Sequence, residues 1–440
     1  MNRPLDASEA KAMMARSGVP NVEVSTLSNG MKVVTEHMPH LQSAAVGVWV
    51  RAGSRDEREG EHGIAHMLEH MAFKGTRTRS ARDIAEAIEN VGGDINAATS
   101  TETTSYYARV LRDDVPLAID IIADILTNAV FDPGEMEREA HVILQEIGAA
   151  LDTPDDLVFD RFQETAFEGQ PLGRPIMGTP ESVSGLTPDH LRRYLSDHYA
   201  GPHMLLAAAG AVDHDEVVAL CERSFAPFGA KGAAEPVPGR YTGGEARDDR
   251  KLMESHVLLG FEGKPYGGRD FYASQFLAMI LGGGMSSRLF QEVREKRGLC
   301  YAIYSFHWAF RDTGLFGIHA ATGPEDVAEL VPVILDEIER STQTIDSKEV
   351  ERARTQISAG LLMSMESPAA RAGQIARQML LFGRVIGNEE LMDRLSAITP
   401  ERLQDLAIRT FSGPPTIAGL GPIEGLAPRD EIANRLARLR

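Results

Sequence analysis

The segment His66-Met67-Leu68-Glu69-His70 places two imidazoles four residues apart, with a carboxylate beside them. Positions i and i+4 lie on one face of a helix, so His66 and His70 can both reach a single metal ion. Glu69 flanks the same face, where a carboxylate can act as a base on a metal-bound water. The spacing therefore predicts two ligands and the base of a hydrolytic metal site.

The residues around this segment predict the helix independently. Apolar residues recur with the helical period, namely Ile64, Met67, Leu68, Met71 and Ala72. That stripe should face the core and direct the two histidines and Glu69 toward a cleft or solvent. The alternative is a pair of solvated histidines beside a surface glutamate, because a chain with 13 histidines can contain such a motif by chance. His62 competes as a ligand by spacing, but Gly63 should weaken the helix there.

A catalytic zinc ion usually has three protein ligands, so the motif needs a third. Residues 134–150 predict a second amphipathic helix. Glu139 and Glu146 lie two turns apart along the edge of its apolar stripe. A carboxylate near the interior is costly unless it is paired or binds metal. Taken alone, however, these two residues fit ordinary helix-edge glutamates better.

Considered together, the two segments resemble the inverted zinc motif of the pitrilysin/insulinase metallopeptidases. The resemblance is closest to the mitochondrial processing peptidase branch and its bacterial relatives. It is carried by the run 66–76 and by the run 135–146, which match that branch nearly residue for residue. It extends over roughly residues 22–425.

The resemblance implies a role for each of these polar residues. His66, His70 and Glu146 would bind one zinc ion per chain, Glu69 would be the catalytic base, and Glu139 would support the ligands from behind. The same ligands could also hold Mn or Co.

An internal repeat divides the chain into two halves. Thr187-Pro188 and the following Gly201-Pro202 recur, with the same spacing, as Thr399-Pro400 and Gly413-Pro414. Pro154 likewise corresponds to Pro368.

The repeat places apolar or uncharged residues where the first half has its candidate metal groups. Those residues are Tyr272, Gln275, Phe276, Ala353 and Gly360, which stand for His66, Glu69, His70, Glu139 and Glu146. If the five groups were generic surface residues, their joint loss would be a coincidence. The comparison therefore favours a functional site in the first half.

Each half mixes strands with helices, which predicts the α+β class with a mixed, largely antiparallel sheet packed with helices. Ser28-Asn29-Gly30 indicates a hairpin between two short strands. The resemblance implies that the halves face one another across a cleft. The predicted segments are an N-terminal extension 1–21, a zinc-bearing half 22–228, a linker 229–249, a degenerate half 250–426 and a tail 427–440.

Other site residues follow from the resemblance alone. Active family members place an Arg/Tyr pair opposite the zinc, and Arg294 and Tyr301 fit those positions, with Arg297 as a lower-ranked alternative. Tyr301 would donate to the oxyanion and Arg294 would hold the substrate backbone. Asn96 and Ala97 match the family's substrate edge, where an extended peptide adds to a strand; the alternative there is a bulged strand near a turn.

Charge and cysteine content restrict the partners and the compartment. A net charge of −19 argues against nucleic acid and anionic membranes, and would favour basic peptides. Only two cysteines are present, so a reducing compartment is plausible. The first residues lack an apolar signal core, and no apolar run approaches ~18 residues. We therefore expect a cytoplasmic bacterial protein.

The predicted function is a zinc endopeptidase that hydrolyses extended, unfolded or basic peptides within an enclosed cleft. Because one chain carries both the zinc motif and the Arg/Tyr pair, a homodimer could be self-sufficient, and a heterodimer with a related subunit remains open. The alternative is a non-catalytic structural or regulatory subunit, as some relatives in respiratory complexes are. Those relatives lose zinc or base residues, whereas this chain keeps the full set.

Overall fold

The structure, a computed structural model, describes residues 21–231 and 237–439. Their strands are β1 (Val22–Thr26), β2 (Lys32–His37), β3 (Ser43–Val50), β4 (Asp94–Thr99), β5 (Thr104–Leu111), β6 (Met204–Gly210), β7 (Gly244–Asp249), β8 (Ser255–Glu262), β9 (Ala302–Ala309), β10 (Gly314–Thr322) and β11 (Thr416–Gly421).

The α-helices of the same residues follow in chain order. They are α1 (Ile64–Ala72), α2 (Ala81–Glu89), α3 (Val115–Thr127), α4 (Pro133–Leu151), α5 (Pro154–Ala166), α6 (Pro180–Gly185), α7 (Pro188–His198), α8 (His214–Ser224), α9 (Phe271–Gly282), α10 (Val327–Thr344), α11 (Ser347–Ser364), α12 (Pro368–Phe382), α13 (Asn388–Ser396), α14 (Pro400–Phe411) and α15 (Arg429–Leu436).

Contacts group the described residues into two compact units. Unit 1 takes those within Met1–Ile147, Pro175–Pro236 and Leu361–Glu390, and unit 2 takes those within Gly148–Arg174, Val237–Gly360 and Leu391–Arg440. The sequence repeat predicts contiguous halves, but packing exchanges one segment between them. Helix α5 packs in unit 2 and helix α12 packs in unit 1.

Unit 1 contains a six-stranded sheet in the order β1-β2-β6-β3-β5-β4. All neighbours pair antiparallel except β2 and β6, which are parallel. The predicted hairpin is present, because β1 and β2 pair antiparallel around Gly30 at φ 89°. Strand β6 is buried along its whole length, since one face joins the main core and the other lies against α12.

Unit 2 repeats this arrangement with five strands in the order β7-β11-β8-β10-β9. These strands correspond in position and direction to β2, β6, β3, β5 and β4, and the pair β7 and β11 is again the parallel one. Helix α5 packs on β7, β11 and β8, as α12 packs on β2, β6 and β3. The fold is therefore α+β with two homologous halves, as the sequence predicts.

Helix length and hydropathy bear on the membrane question. Within the described residues, no helix is both long enough and apolar enough to cross a bilayer.

Candidate metal centre

Helix α1 presents both motif histidines on one side. Gly63 precedes it in the left-handed conformation at φ 89°, and a Cβ there would lie 2.5 Å from the carbonyl oxygen of Met177. The apolar stripe of α1 is buried in the core of unit 1, whereas His66, Glu69 and His70 are half-buried on the other side. Glycine thus fixes where the helix begins, and the core fixes which side carries the chemistry.

Helix α4 supplies the third group. Glu146 Oε2 lies 3.8 Å from Nε2 of His66 and 3.7 Å from Nε2 of His70. One ligand atom from each of the three residues lies within 4.8 Å of the other two. The structure therefore brings together the three predicted ligands from two helices. His62 precedes α1 and is not part of this cluster; its Nε2 lies 3.8 Å from Glu59 Oε2.

The cluster fits a zinc ion in donor type and in spacing. Zinc takes nitrogen and oxygen ligands at about 2.0–2.2 Å, so two tetrahedral donors lie roughly 3.4 Å apart. The observed separations of 3.7 and 3.8 Å exceed that value by a few tenths of an ångström, which small rotamer changes can close. Two imidazoles and one carboxylate leave a fourth position open for water, which is the ligand count of a catalytic zinc site.

His66 is held in the form that binds metal. Burial and the neighbouring His70 lower the pKa of His66 to about 4, against an opposing effect of Glu146, so its ring is neutral at pH 7. A neutral imidazole offers a lone pair to an ion, whereas the protonated ring offers none.

Glu139 fixes the orientation of His70. Its Oε2 lies 2.9 Å from Nδ1 of His70, and its Oε1 lies 2.6 Å from Nζ of Lys74. Only 6% of Glu139 is exposed, and this burial would raise its pKa. Hydrogen bonds from Lys74 and His70 outweigh burial and lower the pKa. The ionised carboxylate therefore keeps the proton on Nδ1 and leaves Nε2 of His70 facing the cluster.

Glu69 has a partner that the sequence did not reveal. The hydroxyl of Thr99 donates to Oε2 of Glu69 at 2.6 Å. Thr99 is the last residue of β4 and lies on the same side of the strand as Ala97. Ala97 is buried in the core cluster that also contains the apolar residues of α1. The alternation along β4 was the signal that could have placed Thr99 beside the motif.

The predicted substrate residues lie on an edge strand. Among the described residues, β4 pairs with β5 and forms one edge of the sheet. Asn96 is exposed and Ala97 is buried, and the Asn96 side-chain oxygen accepts a hydrogen bond of 2.8 Å from the Ala97 N–H. The strand at which a peptide would add is therefore β4, and its last residue, Thr99, contacts Glu69.

Known proteins match the chain along most of its length. Residues 32–180 match the insulinase family (peptidase family M16), and residues 185–357 match the peptidase M16 inactive domain. A protein of Rickettsia bellii named an uncharacterized zinc protease is 42% identical over 91% of this chain and 98% of its own length. The chain belongs to peptidase family M16. A Bacillus subtilis protein, also named an uncharacterized zinc protease, is 36% identical over 90% of this chain and 97% of its own.

Solved structures share the fold of this M16 peptidase. A protease from Helicobacter pylori superimposes with a TM-score of 0.87 at 24% identity, covering 92% of this chain and 100% of that one. A chain of complex III2 from Candida albicans gives a TM-score of 0.83 at 24% identity, covering 94% and 99%. Identities this low support the fold alone.

The second half of this M16 peptidase keeps the positions of the site without its chemistry. Gln275 stands where Glu69 stands in unit 1, and its amide nitrogen lies 3.1 Å from Nδ1 of His307, a residue of β9. Phe276 and Ala353, the counterparts of His70 and Glu139, are buried apolar residues.

The predicted Arg/Tyr pair lies in unit 2. Arg294 is in a π-helical turn, and its guanidinium carbon lies 4.7 Å from the ring centre of Phe290 and 5.5 Å from that of Tyr301. Tyr301 is 79% exposed. Arg297 instead approaches Glu329 at 3.7 Å. The roles of Arg294 and Tyr301 in catalysis remain predictions.

Proposed function

We propose that this M16 peptidase is a zinc-dependent endopeptidase with His66, His70 and Glu146 as ligands and Glu69 as base. One observation carries the proposal, namely the convergence of three ligand atoms within 4.8 Å beside a second, half-buried carboxylate. Two imidazoles and a carboxylate are the donors of a catalytic zinc site, and the second carboxylate supports the assignment of Glu69 as the base.

The chemistry follows from the residues of the chain. A zinc ion, one per chain, would polarise the scissile carbonyl and lower the pKa of its bound water toward ~7. Glu69 takes the proton from the attacking water and passes it to the leaving amine. The hydrogen bond from Thr99 orients the Glu69 carboxylate, and Glu139 with Lys74 holds His70 in its ligating tautomer.

The substrate is an extended or unfolded peptide, bound within an enclosed cleft. Main-chain pairing at the β4 edge, through Asn96 and Ala97, would bind such a peptide with little regard to its sequence. The net charge of −19 favours basic peptides. Tyr301 would donate to the developing oxyanion and Arg294 would hold the substrate backbone.

The assembly and the location belong to the same proposal. Because one chain carries the zinc ligands, the base and the Arg/Tyr pair, we propose a self-sufficient homodimer in the bacterial cytoplasm. A related subunit would be needed if the Arg/Tyr pair does not serve the zinc site.

A non-catalytic subunit is the second candidate. We consider it because the chain shares its fold with a chain of complex III2 from Candida albicans. The complete donor set with its base weighs against it, since a purely structural role requires neither.

Bound zinc and hydrolysis of a quenched basic peptide would test the proposal on the purified chain, on Glu69→Gln and on Glu137→Gln. Glu137 is an exposed glutamate of α4 and serves as the matched control. We expect the same zinc content in all three proteins, at least one ion per chain, with cleavage lost only in Glu69→Gln. A zinc-loaded but inert parent would favour the non-catalytic subunit or a missing partner chain, and absence of zinc would overturn the ligand assignment.

A further inference from the structure

A second cluster of metal-ligand side chains lies in unit 2, between α5 and the sheet. Asp155 is in the first turn of α5, His256 is on β8 and His319 is on β10. One ligand atom from each lies within 4.8 Å of the other two. Asp155 Oδ1 lies 3.1 Å from Nδ1 of His256 and 4.0 Å from Nε2 of His319.

Strand register places the two histidines side by side. His256 pairs with Ala321 and His319 pairs with Leu258, so the histidines are diagonal neighbours on adjacent strands. Diagonal neighbours point to the same face of a sheet. Their rings stack with centroids 5.8 Å apart and planes inclined by 25°.

Both rings are buried without hydrogen bonds. His256 is 1% exposed and His319 is 2% exposed. Among the described residues, none of their four ring nitrogens makes a hydrogen bond, although Asp155 Oδ1 lies 3.1 Å from Nδ1 of His256. A buried polar nitrogen without a partner costs free energy, and such groups in native proteins usually have a bound partner.

The ring of His319 is in the form that binds metal. Burial and the neighbouring His256 lower the pKa of His319 to about 4, with Asp155 acting in the opposite direction. The ring is therefore neutral near pH 7 and offers a lone pair.

The donor types and distances suit a divalent transition metal ion. Two imidazoles and a carboxylate are ligands of zinc and of neighbouring first-row metals. Two donors on one such ion lie roughly 3.0–3.4 Å apart, so the 3.1 Å separation already fits and His319 would move closer by several tenths of an ångström. Glu254 Oε1 approaches the far nitrogen of His256 at 3.5 Å, as carboxylates do behind metal-bound histidines.

The corresponding positions of unit 1 show that the repeat itself does not require these residues. Gly210 and Gly421 correspond, because both have positive φ and a Cβ on either would lie 2.4 Å from a carbonyl oxygen at the start of the neighbouring strand, that of Ser43 or of Glu254. The register then continues along paired strands. The unit 1 counterparts of Asp155, His256 and His319 are Ala369, Ala45 and Tyr107.

We propose that Asp155, His256 and His319 form a second metal site, of the zinc class, that ties α5 to β8 and β10. The site belongs to unit 2 alone and does not depend on the peptidase centre. The Asp155 side chain is 66% exposed, which gives an ion a route to the two buried rings.

The test removes the candidate zinc site of unit 1 and measures how many zinc ions the chain still binds. The full-length His66→Ala/His70→Ala variant is loaded with zinc, passed through gel filtration and analysed for metal. We expect about one zinc ion per chain to remain and to raise the Tm. Loading with Co²⁺ instead should give visible absorption bands of an ion bound by nitrogen and oxygen.

A matched pair of carboxylate variants assigns that ion. Adding Asp155→Asn should weaken zinc binding about tenfold or more, whereas Asp156→Asn, an exposed neighbour in the same turn, should leave it unchanged. If the double variant does not fold, the same pair is compared in the parent chain, where Asp155→Asn should lower the content from about two ions to about one. No second ion, or equal effects of the two variants, would overturn the proposal.

Discussion

The two units use one strand order for different chemistry. In unit 1, the candidate metal ligands lie where α1 and α4 meet, and the face of the sheet under α12 carries Ala45 and Ala209. In unit 2, apolar or uncharged residues occupy the first location, and two histidines lie under α5. The shared fold thus sets which positions lie close together, and the residue types at those positions determine whether they could bind a metal ion.

The comparison extends to single contacts. Glu69 with Thr99 in unit 1 corresponds to Gln275 with His307 in unit 2, so the same two elements touch through a different pair. The Gln275 amide donates to His307, in place of the hydrogen bond that the Glu69 carboxylate accepts from Thr99, and it carries no charge. Where no ion binds at this position, an uncharged side chain avoids the free-energy cost of an unpaired charge near the core.

We expect the largest effect from replacing Glu146, the proposed ligand whose counterpart in unit 2 is Gly360. Glu146→Gln should abolish stable zinc binding and cost several kcal/mol of transition-state stabilisation, on the order of 10³-fold in kcat/KM. Metal analysis and peptide hydrolysis would measure both. Glu137→Gln, on the exposed side of α4, is the control. Unaltered zinc content in Glu146→Gln would contradict the ligand role.

The second comparison concerns α5, which packs in unit 2, and α12, which packs in unit 1. Phe162 of α5 is fully buried against Gly260, where a Cβ would lie 2.2 Å from its ring. In unit 1 the corresponding contact has the small residue, Ala376, on the helix and the large residue, Trp49, on the strand. In each unit one large side chain fills the space between helix and sheet; it comes from the helix in unit 2 and from the strand in unit 1.

Phe162→Ala should therefore leave a cavity and lower the free energy of unfolding by about 3–5 kcal/mol. Urea denaturation followed by circular dichroism would measure it. Phe159→Ala, a half-buried position on the same helix, should cost less. Equal losses at the two positions would show that α5 is not held by the Phe162 contact.

A smaller effect is the pH dependence contributed by His307, the residue that replaces Thr99. Burial lowers its pKa to about 4, while the Lys264 backbone raises it slightly. Between pH 4 and the ordinary value near 6.5, the unfolded chain binds a proton that the folded chain does not, so stability falls as pH falls. At about 1.4 kcal/mol per unit, the contribution reaches about 3 kcal/mol at pH 4.

His307→Gln should flatten the decline in stability between pH 6.5 and 4, and unfolding at several pH values would measure the slope. The comparison with the parent isolates this one group from the other titrating residues. A slope identical to that of the parent would contradict a buried, neutral His307.

The sequence predicted local elements well and long-range pairings less well. The apolar stripe of α1, the amphipathic α4 and the repeat all follow from residue spacing along the sequence. The exchange of α5 and α12 does not, because periodicity shows that a helix has an apolar face without showing which sheet covers it. Thr99 and the His256/His319 pair were missed for the same reason, since strand register brings them to their partners.

The smallest effect expected concerns Glu139, whose counterpart in unit 2 is the buried Ala353. Glu139→Gln removes the charge that, with Lys74, keeps the proton of His70 on Nδ1. Zinc affinity should fall about 10- to 100-fold, while activity at saturating zinc changes less. Competition with a chelator would measure the affinity, with Glu137→Gln as control. An affinity equal to that of the parent would mean that the ligand atoms hold zinc without support from behind, and that unit 2 could lose this carboxylate independently of its metal.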